Sequence, residues 1–152
     1  MFDLSHLEKY KETNRIEAKR ATGGLPRSLW ETYSAFANSD GGYILLGVAE
    51  SKKDKTLYPV ELPDPWRLVA QFWELVQNTR VVSKNILKKS DVTVENADGK
   101  EIVVIHIPKA KKKDKPVYIG GNPITGSYYR RDEGDIRLPE HRIKQMIEES
   151  KP

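Results

Sequence analysis

The chain has 152 residues, of which 38% are hydrophobic and 32% charged, with a formal net charge of +4. That length supports one buried core with little material for a second. With no cysteine in the chain, a disulfide framework, a thiol nucleophile and a thiolate metal site are all excluded, and a reducing compartment such as the cytoplasm is the expected setting. No apolar run reaches membrane-spanning length, and the opening Met1–Lys9 mixes charge into what would have to be an apolar leader.

Loose alternation around Ile16 and Ala18 predicts a half-exposed strand over residues 12–20, ended by Gly23-Gly24. Leu25-Pro26 then opens a helix, with proline in the first turn where its missing N–H costs nothing. Leu29, Tyr33, Phe36 and Ala37 share one face of that helix. Asn38–Gly42 stops it, and Asn38 is expected to serve as a capping residue there. Tyr43–Val48 is a continuous apolar run between turn signals, which predicts a central strand buried on both faces. A polar connection over residues 51–64 leads to a second helix, on which Trp66, Val69, Trp73 and Val76 form a stripe expected to pack in the core.

Val92 and Val94, the Asp98-Gly99 turn signal and the run Ile102–Ile107 predict a β-hairpin. Pro116–Ile119 and Ser127–Tyr129 read as two more short strands joined through Gly120–Pro123, and Pro139 starts a last helix carrying Ile143, Met146 and Ile147. The order is that of an α+β domain with helices packed on a mixed sheet.

The densest charge is the run Lys109, Lys111, Lys112, Lys113 and Lys115, which is either a solvated loop or a phosphate contact. His6, His106 and His141 lack metal-ligand spacing, and no Gly-Lys-Ser/Thr follows Gly41-Gly42 to make a phosphate loop.

Glu17-Ala18-Lys19, the long stretch Ser34-Ala35-Phe36-Ala37-Asn38-Ser39-Asp40-Gly41-Gly42-Tyr43-Ile44-Leu45-Leu46-Gly47-Val48, Lys115–Tyr118 and Gly126–Arg131 together resemble the Schlafen-type Alba-like domain. The resemblance runs from about Glu12 to Ile147. It implies an Alba-like β-α-β-α-β-β core over roughly residues 12–107 with a C-terminal hairpin and helix over 108–149, as found at the N-terminus of longer bacterial transcriptional regulators. It further implies a nucleic-acid partner, DNA or RNA, and a homodimer.

Two kinds of function follow. In a binding module no cofactor is required, and Lys19, Arg20, Lys109, Lys111, Lys112, Lys113, Lys115, Arg130 and Arg131 would meet phosphates without reading sequence. Tyr118, Tyr128 and Tyr129 would stack on bases or, more in keeping with strand tyrosines, pack half-buried. Schlafen relatives that cleave RNA use three acidic residues and a divalent metal. The matching positions here are Glu12, Glu17 and Glu50, the last often aspartate in the family, and they would hold Mg²⁺ or Mn²⁺. On an unbroken strand Glu12 and Glu17 would point to opposite faces, so this reading needs a bend between them.

Overall fold

A computed structural model describes residues 3–152. In chain order it contains β1 (Ile16–Lys19), α1 (Ser28–Asn38), β2 (Gly42–Leu46), β3 (Val48–Glu50), β4 (Leu57–Pro59), α2 (Pro65–Val76), β5 (Val92–Ala97), β6 (Lys100–Ile107), a four-residue helix α3 (Pro123–Gly126), β7 (Tyr128–Arg131), β8 (Gly134–Arg137) and α4 (Glu140–Ser150). The main sheet runs β1-β2-β6-β5, with β1 parallel to β2 and the other pairs antiparallel. It is the mixed α+β arrangement expected from the sequence.

Alternation along the two central strands divides the core into two layers. Ile44 and Leu46 of β2, with Val103, Ile105 and Ile107 of β6, pack against Leu29, Tyr33 and Phe36 of α1 and Leu68, Phe72 and Val76 of α2. Leu45, Ile102 and Val104 point the other way, onto Leu7, Val48, Leu57 and Ala97. The expected double burial of the Tyr43–Val48 run therefore holds for β2, but the run is not one strand. Gly47 turns it with φ +86, and a side chain there would meet Leu62 Cγ at 2.7 Å. Beyond that turn β3 leaves the sheet and pairs with β4 in a ladder of its own, within the stretch read as a plain connection.

The buried face of α2 also differs from expectation. Pro65, Leu68, Phe72 and Val76 face the core, whereas Trp66 is 62% exposed and Val69 and Trp73 sit at the margin. Both stripes have helical spacing. The choice is made by tertiary packing, because the Phe72 ring stacks on Trp30 of α1 with centroids 5.4 Å apart.

The C-terminal hairpin is displaced as well. Residues 116–119 make only isolated bridges, Tyr118 to Ser127 and Ile119 to Val82. The paired strands are β7 and β8, joined at Asp132 and Glu133, with Asp132 left-handed at φ 55. This extension lies on the outer side of α1, which explains why Ser34, Ala35 and Asn38 are buried along with its apolar face.

Asn38 is structural, though it does not cap the helix. Ser39 occupies the C-cap, and Gly41 (φ +77) closes the end by donating its N–H to Phe36 O. The Asn38 amide instead donates to Val117 O (2.8 Å) and Tyr128 O (2.9 Å) and accepts from Val117 N (2.8 Å). Ser34 Oγ donates to Val117 O and accepts from Tyr128 N. These two side chains fasten the extension to the core.

Candidate acidic site and lysine cleft

The bend that the acidic reading requires is present. Thr13 and Ile16 exchange backbone hydrogen bonds, so the chain reverses just before β1. Glu12 is carried back alongside the strand, where its Oε2 accepts from the Ala18 backbone N–H at 3.0 Å. The turn at Gly47 sends β3 toward the same edge and delivers Glu50 at its end. Glu133, from the tip of the β7–β8 hairpin, completes a group: Glu12, Glu50 and Glu133 each offer a carboxylate oxygen within 4.8 Å of the others.

Glu17 stands beside this group but is held differently. Its Oε1 pairs with Arg130 Nη1 at 2.9 Å and its Oε2 with Lys19 Nζ at 3.5 Å. Arg130 Nη1 also pairs with Asp135 at 2.7 Å, and the guanidinium donates to the carbonyls of Thr13 and Ile16 while lying 4.9 Å over the Phe36 ring. With its side chain 1% exposed, Arg130 departs from the expected phosphate contact. It is the buried counter-ion that positions Glu17 and fixes the turn bearing Glu12.

Loss of hydration, joined by the Glu17 and Glu50 carboxylates and opposed by the Ala18 N–H, pushes the Glu12 carboxyl up to about 8. Below the ordinary value of 4.5 the group is protonated both folded and unfolded, and no penalty arises. As pH rises from there through about 8, the unfolded chain releases its proton while the folded one resists, so stability falls. Replacing Glu12 with glutamine should therefore raise stability above pH 8 by about 1–2 kcal/mol, once the half-exposed position is discounted for solvent screening. The gain should vanish near pH 4. Thermal melts of both proteins across that range check this, and a gain independent of pH would contradict it.

The donor set is all oxygen, which suits a hard cation. Oxygens opposite one another around Mg²⁺ lie about 4.2 Å apart, and the three glutamates bring carboxylate oxygens within 4.8 Å of one another. A dication there would relieve the repulsion that raises Glu12, so the residues present fit such an ion.

The basic residues separate into two groups. Lys19 is tied to Glu17 and donates to Ser28 Oγ, and Lys115 is partly buried, its ammonium pulled below the ordinary range by lost hydration and by Lys109 and Arg142. Arg20, Lys109, Lys111, Lys112, Lys113 and Arg131 are exposed. Lys109, Lys111 and Lys113 form one wall of a cleft of about 540 Å³ whose other wall carries Lys84 and Lys88. The tyrosines pack rather than project: Tyr118, Tyr128 and Tyr129 are half-buried, and the Tyr128 hydroxyl donates to Glu31 at 3.2 Å.

Glu133 was missed from sequence because β8 was missed. The turn-forming Asp132-Glu133-Gly134, flanked by short stretches of alternating character, was the available signal.

Fold and site define an α+β domain with carboxylates gathered at one sheet edge and a lysine-walled cleft elsewhere. The chain belongs to the family described as Schlafen, AlbA_2, whose model matches residues 12–139. It is similar to the N-terminal domain of a RecG-related protein from Nitrosomonas europaea, at 34% identity and a TM-score of 0.64, over 86% of this chain and 89% of that one. The DIP2311 protein of Corynebacterium diphtheriae shares the fold, at 15% identity and a TM-score of 0.52, over 82% of this chain and 25% of that one. No functionally curated protein matches the chain. Among the described residues, no helix is long and apolar enough to cross a membrane.

Proposed function

We propose that this domain binds nucleic acid, as the DNA-contacting module of a cytoplasmic transcriptional regulator, by sequence-independent phosphate contacts. Membership of the Schlafen AlbA_2 family supports a nucleic-acid partner. The observation that carries the reading is the exposed segment of Lys109, Lys111, Lys112 and Lys113, of which Lys109, Lys111 and Lys113 line one cleft. Lysine is a mobile point charge that meets phosphate oxygens without selecting a base, so affinity should be salt-dependent and tolerant of sequence. In fluorescence anisotropy with labelled DNA and RNA, each lost lysine contact should flatten the dependence of log Kd on log salt by about 0.9. Replacing Lys109, Lys111 and Lys113 together with alanine should weaken binding by a similar factor on every sequence. No binding at low salt, or binding indifferent to salt, would sink the proposal.

The convergence of Glu12, Glu50 and Glu133 favours a second activity on the same class of partner, metal-dependent phosphodiester cleavage of RNA. A divalent cation bound there would supply a lowered water pKa and neutralise charge developing on the phosphoryl oxygens. Glu12, Glu50 and Glu133 would hold it. Glu17, fixed by Arg130 and Lys19, would orient the neighbouring carboxyls rather than ligate. Mn²⁺ should raise the melting temperature at pH 8 in the unaltered protein and not in Glu12→Gln or Glu50→Gln. Cleavage of structured RNA should fall by at least about a hundredfold in either variant, the scale on which positioned catalytic groups act. Binding of RNA with neither cleavage nor metal-induced stabilisation would leave a binding module alone.

A further inference from the structure

The floor of the lysine cleft holds a pair that the reading above does not use. Asp91, in a short 3-10 turn just before β5, is buried at 8% exposure. Its Oδ2 accepts from the Lys88 N–H at 2.7 Å, and its Oδ1 lies 2.9 Å from His106 Nδ1. A carboxylate fixed on Nδ1 dictates the tautomer: the proton sits on Nδ1, and Nε2 is left as the second site of protonation. Nε2 has no hydrogen-bond partner among the described residues, and the ring, 37% exposed, lines the cleft. Tyr43, the cross-strand partner of His106, lies against the ring with centroids 5.0 Å apart and limits its rotation.

The walls are anchored rather than loose. Tyr33 of α1 donates to Lys84 O at 2.9 Å and accepts from Ile86 N at 3.1 Å, which fixes one wall to the core. Ala110 N donates to Ala37 O at 2.9 Å and fixes the other. Lys84 is paired with Asp114 at 3.1 Å, while Lys88, Lys109, Lys111 and Lys113 form no ion pair among the described residues. The charged groups around the imidazole are thus one buried carboxylate, one neutralised lysine–aspartate pair and four unpaired ammoniums. Excess positive charge gathers over a ring that can accept another proton.

We infer that this cleft is a phosphate-binding site in which His106, held by Asp91, donates from Nε2 to a phosphate oxygen while the lysines neutralise the anion. It rests on the nucleic-acid reading for the source of the phosphate and adds a named recognition group and a proton linked to binding. A strand phosphate and a free nucleotide phosphate share this chemistry, and the experiment separates them. Because Nε2 can donate only when the ring is protonated, affinity rises as pH falls.

The test follows the His106 imidazole by ¹H–¹⁵N NMR in the full chain, with inorganic pyrophosphate in one arm and a short single-stranded oligonucleotide in the other. Each binding ligand should shift the ring resonances and raise the pH at which His106 titrates. Oligonucleotide affinity should strengthen roughly tenfold or more between about pH 8 and pH 5.5, and the His106→Gln variant should lose most of that dependence while keeping its salt dependence. If the oligonucleotide binds while neither ligand perturbs His106, the inference is overturned and the nucleic-acid reading survives. If pyrophosphate shifts His106 and the oligonucleotide does not bind, the phosphate site stands with free phosphate as its source, and the nucleic-acid reading fails. Unchanged pH dependence in His106→Gln also overturns the inference, and the wild-type titration decides the matter even if that variant folds poorly.

Discussion

Replacing Arg130 with methionine will lower the free energy of unfolding by about 3–5 kcal/mol, the range for removing one partner of a buried ion pair. The guanidinium is shared between Glu17 and Asp135 and also satisfies the carbonyls of Thr13 and Ile16. Methionine replaces its volume against Phe36 but leaves two partly buried carboxylates facing each other, with Lys19, 3.5 Å from Glu17, in place of the shared guanidinium. Adding Glu17→Gln and Asp135→Asn to the methionine variant should recover a substantial part of the loss, because the unpaired charges rather than missing packing cause it. Urea denaturation of the three proteins measures both effects. Additive destabilisation by the second and third changes would show that packing dominates.

Asn38→Ala should cost about 2–4 kcal/mol. The amide makes its bonds from a buried position, and truncation leaves Val117 N and the Val117 and Tyr128 carbonyls to be satisfied by Ser34 or by entering water. For a chain of this size the melting temperature should fall by roughly 5–15 °C. A helix cap lost at the surface would cost about 1 kcal/mol, so a drop of only a few degrees would argue for capping after all. Hydrogen exchange should also show Val117 and Tyr128 losing protection in the variant while β2 and β6 keep theirs.

These two residues mark the boundary of what the sequence disclosed. The β5–β6 hairpin, β2, α1 and α4 were legible because periodicity and turn chemistry are local signals, and each agreed with the final packing. The buried face of α2 was not, since two overlapping stripes had equal periodicity and only the Trp30–Phe72 stack decides between them. The second burial of α1 was equally hidden. Ser34 and Ala35 lie off the apolar face of Leu29, Tyr33, Phe36 and Ala37, Asn38 reads as a cap, and nothing local announces that residues 117–130 return to cover them.

The acidic site was half legible. Glu12, Glu17 and Glu50 were named through family resemblance, while the convergence of Glu12 and Glu50 depends on the Thr13–Ile16 reversal and the Gly47 turn, neither of which periodicity detects. Glu133 reaches the site across a hairpin that was placed several residues too early. Arg130 was read as a surface cation because the sequence cannot show that Glu17 and Asp135 enclose it. Among the lysines the run from Lys109 to Lys113 was visible as a charge run, whereas Lys84 and Lys88, which line the same cleft, lie outside it.

The latch between α1 and β7–β8 also limits how this domain can be cut. A chain ending at Ile107 would keep every strand of the four-stranded sheet, yet it would strip Glu133 from the carboxylate group and leave Glu17 without its guanidinium. It would also bare the polar atoms of Ser34 and Asn38 on a helix whose other side is apolar. The smallest portable unit therefore extends at least through Arg137, and fusions or domain swaps that stop at the end of the sheet will carry a scaffold without its site.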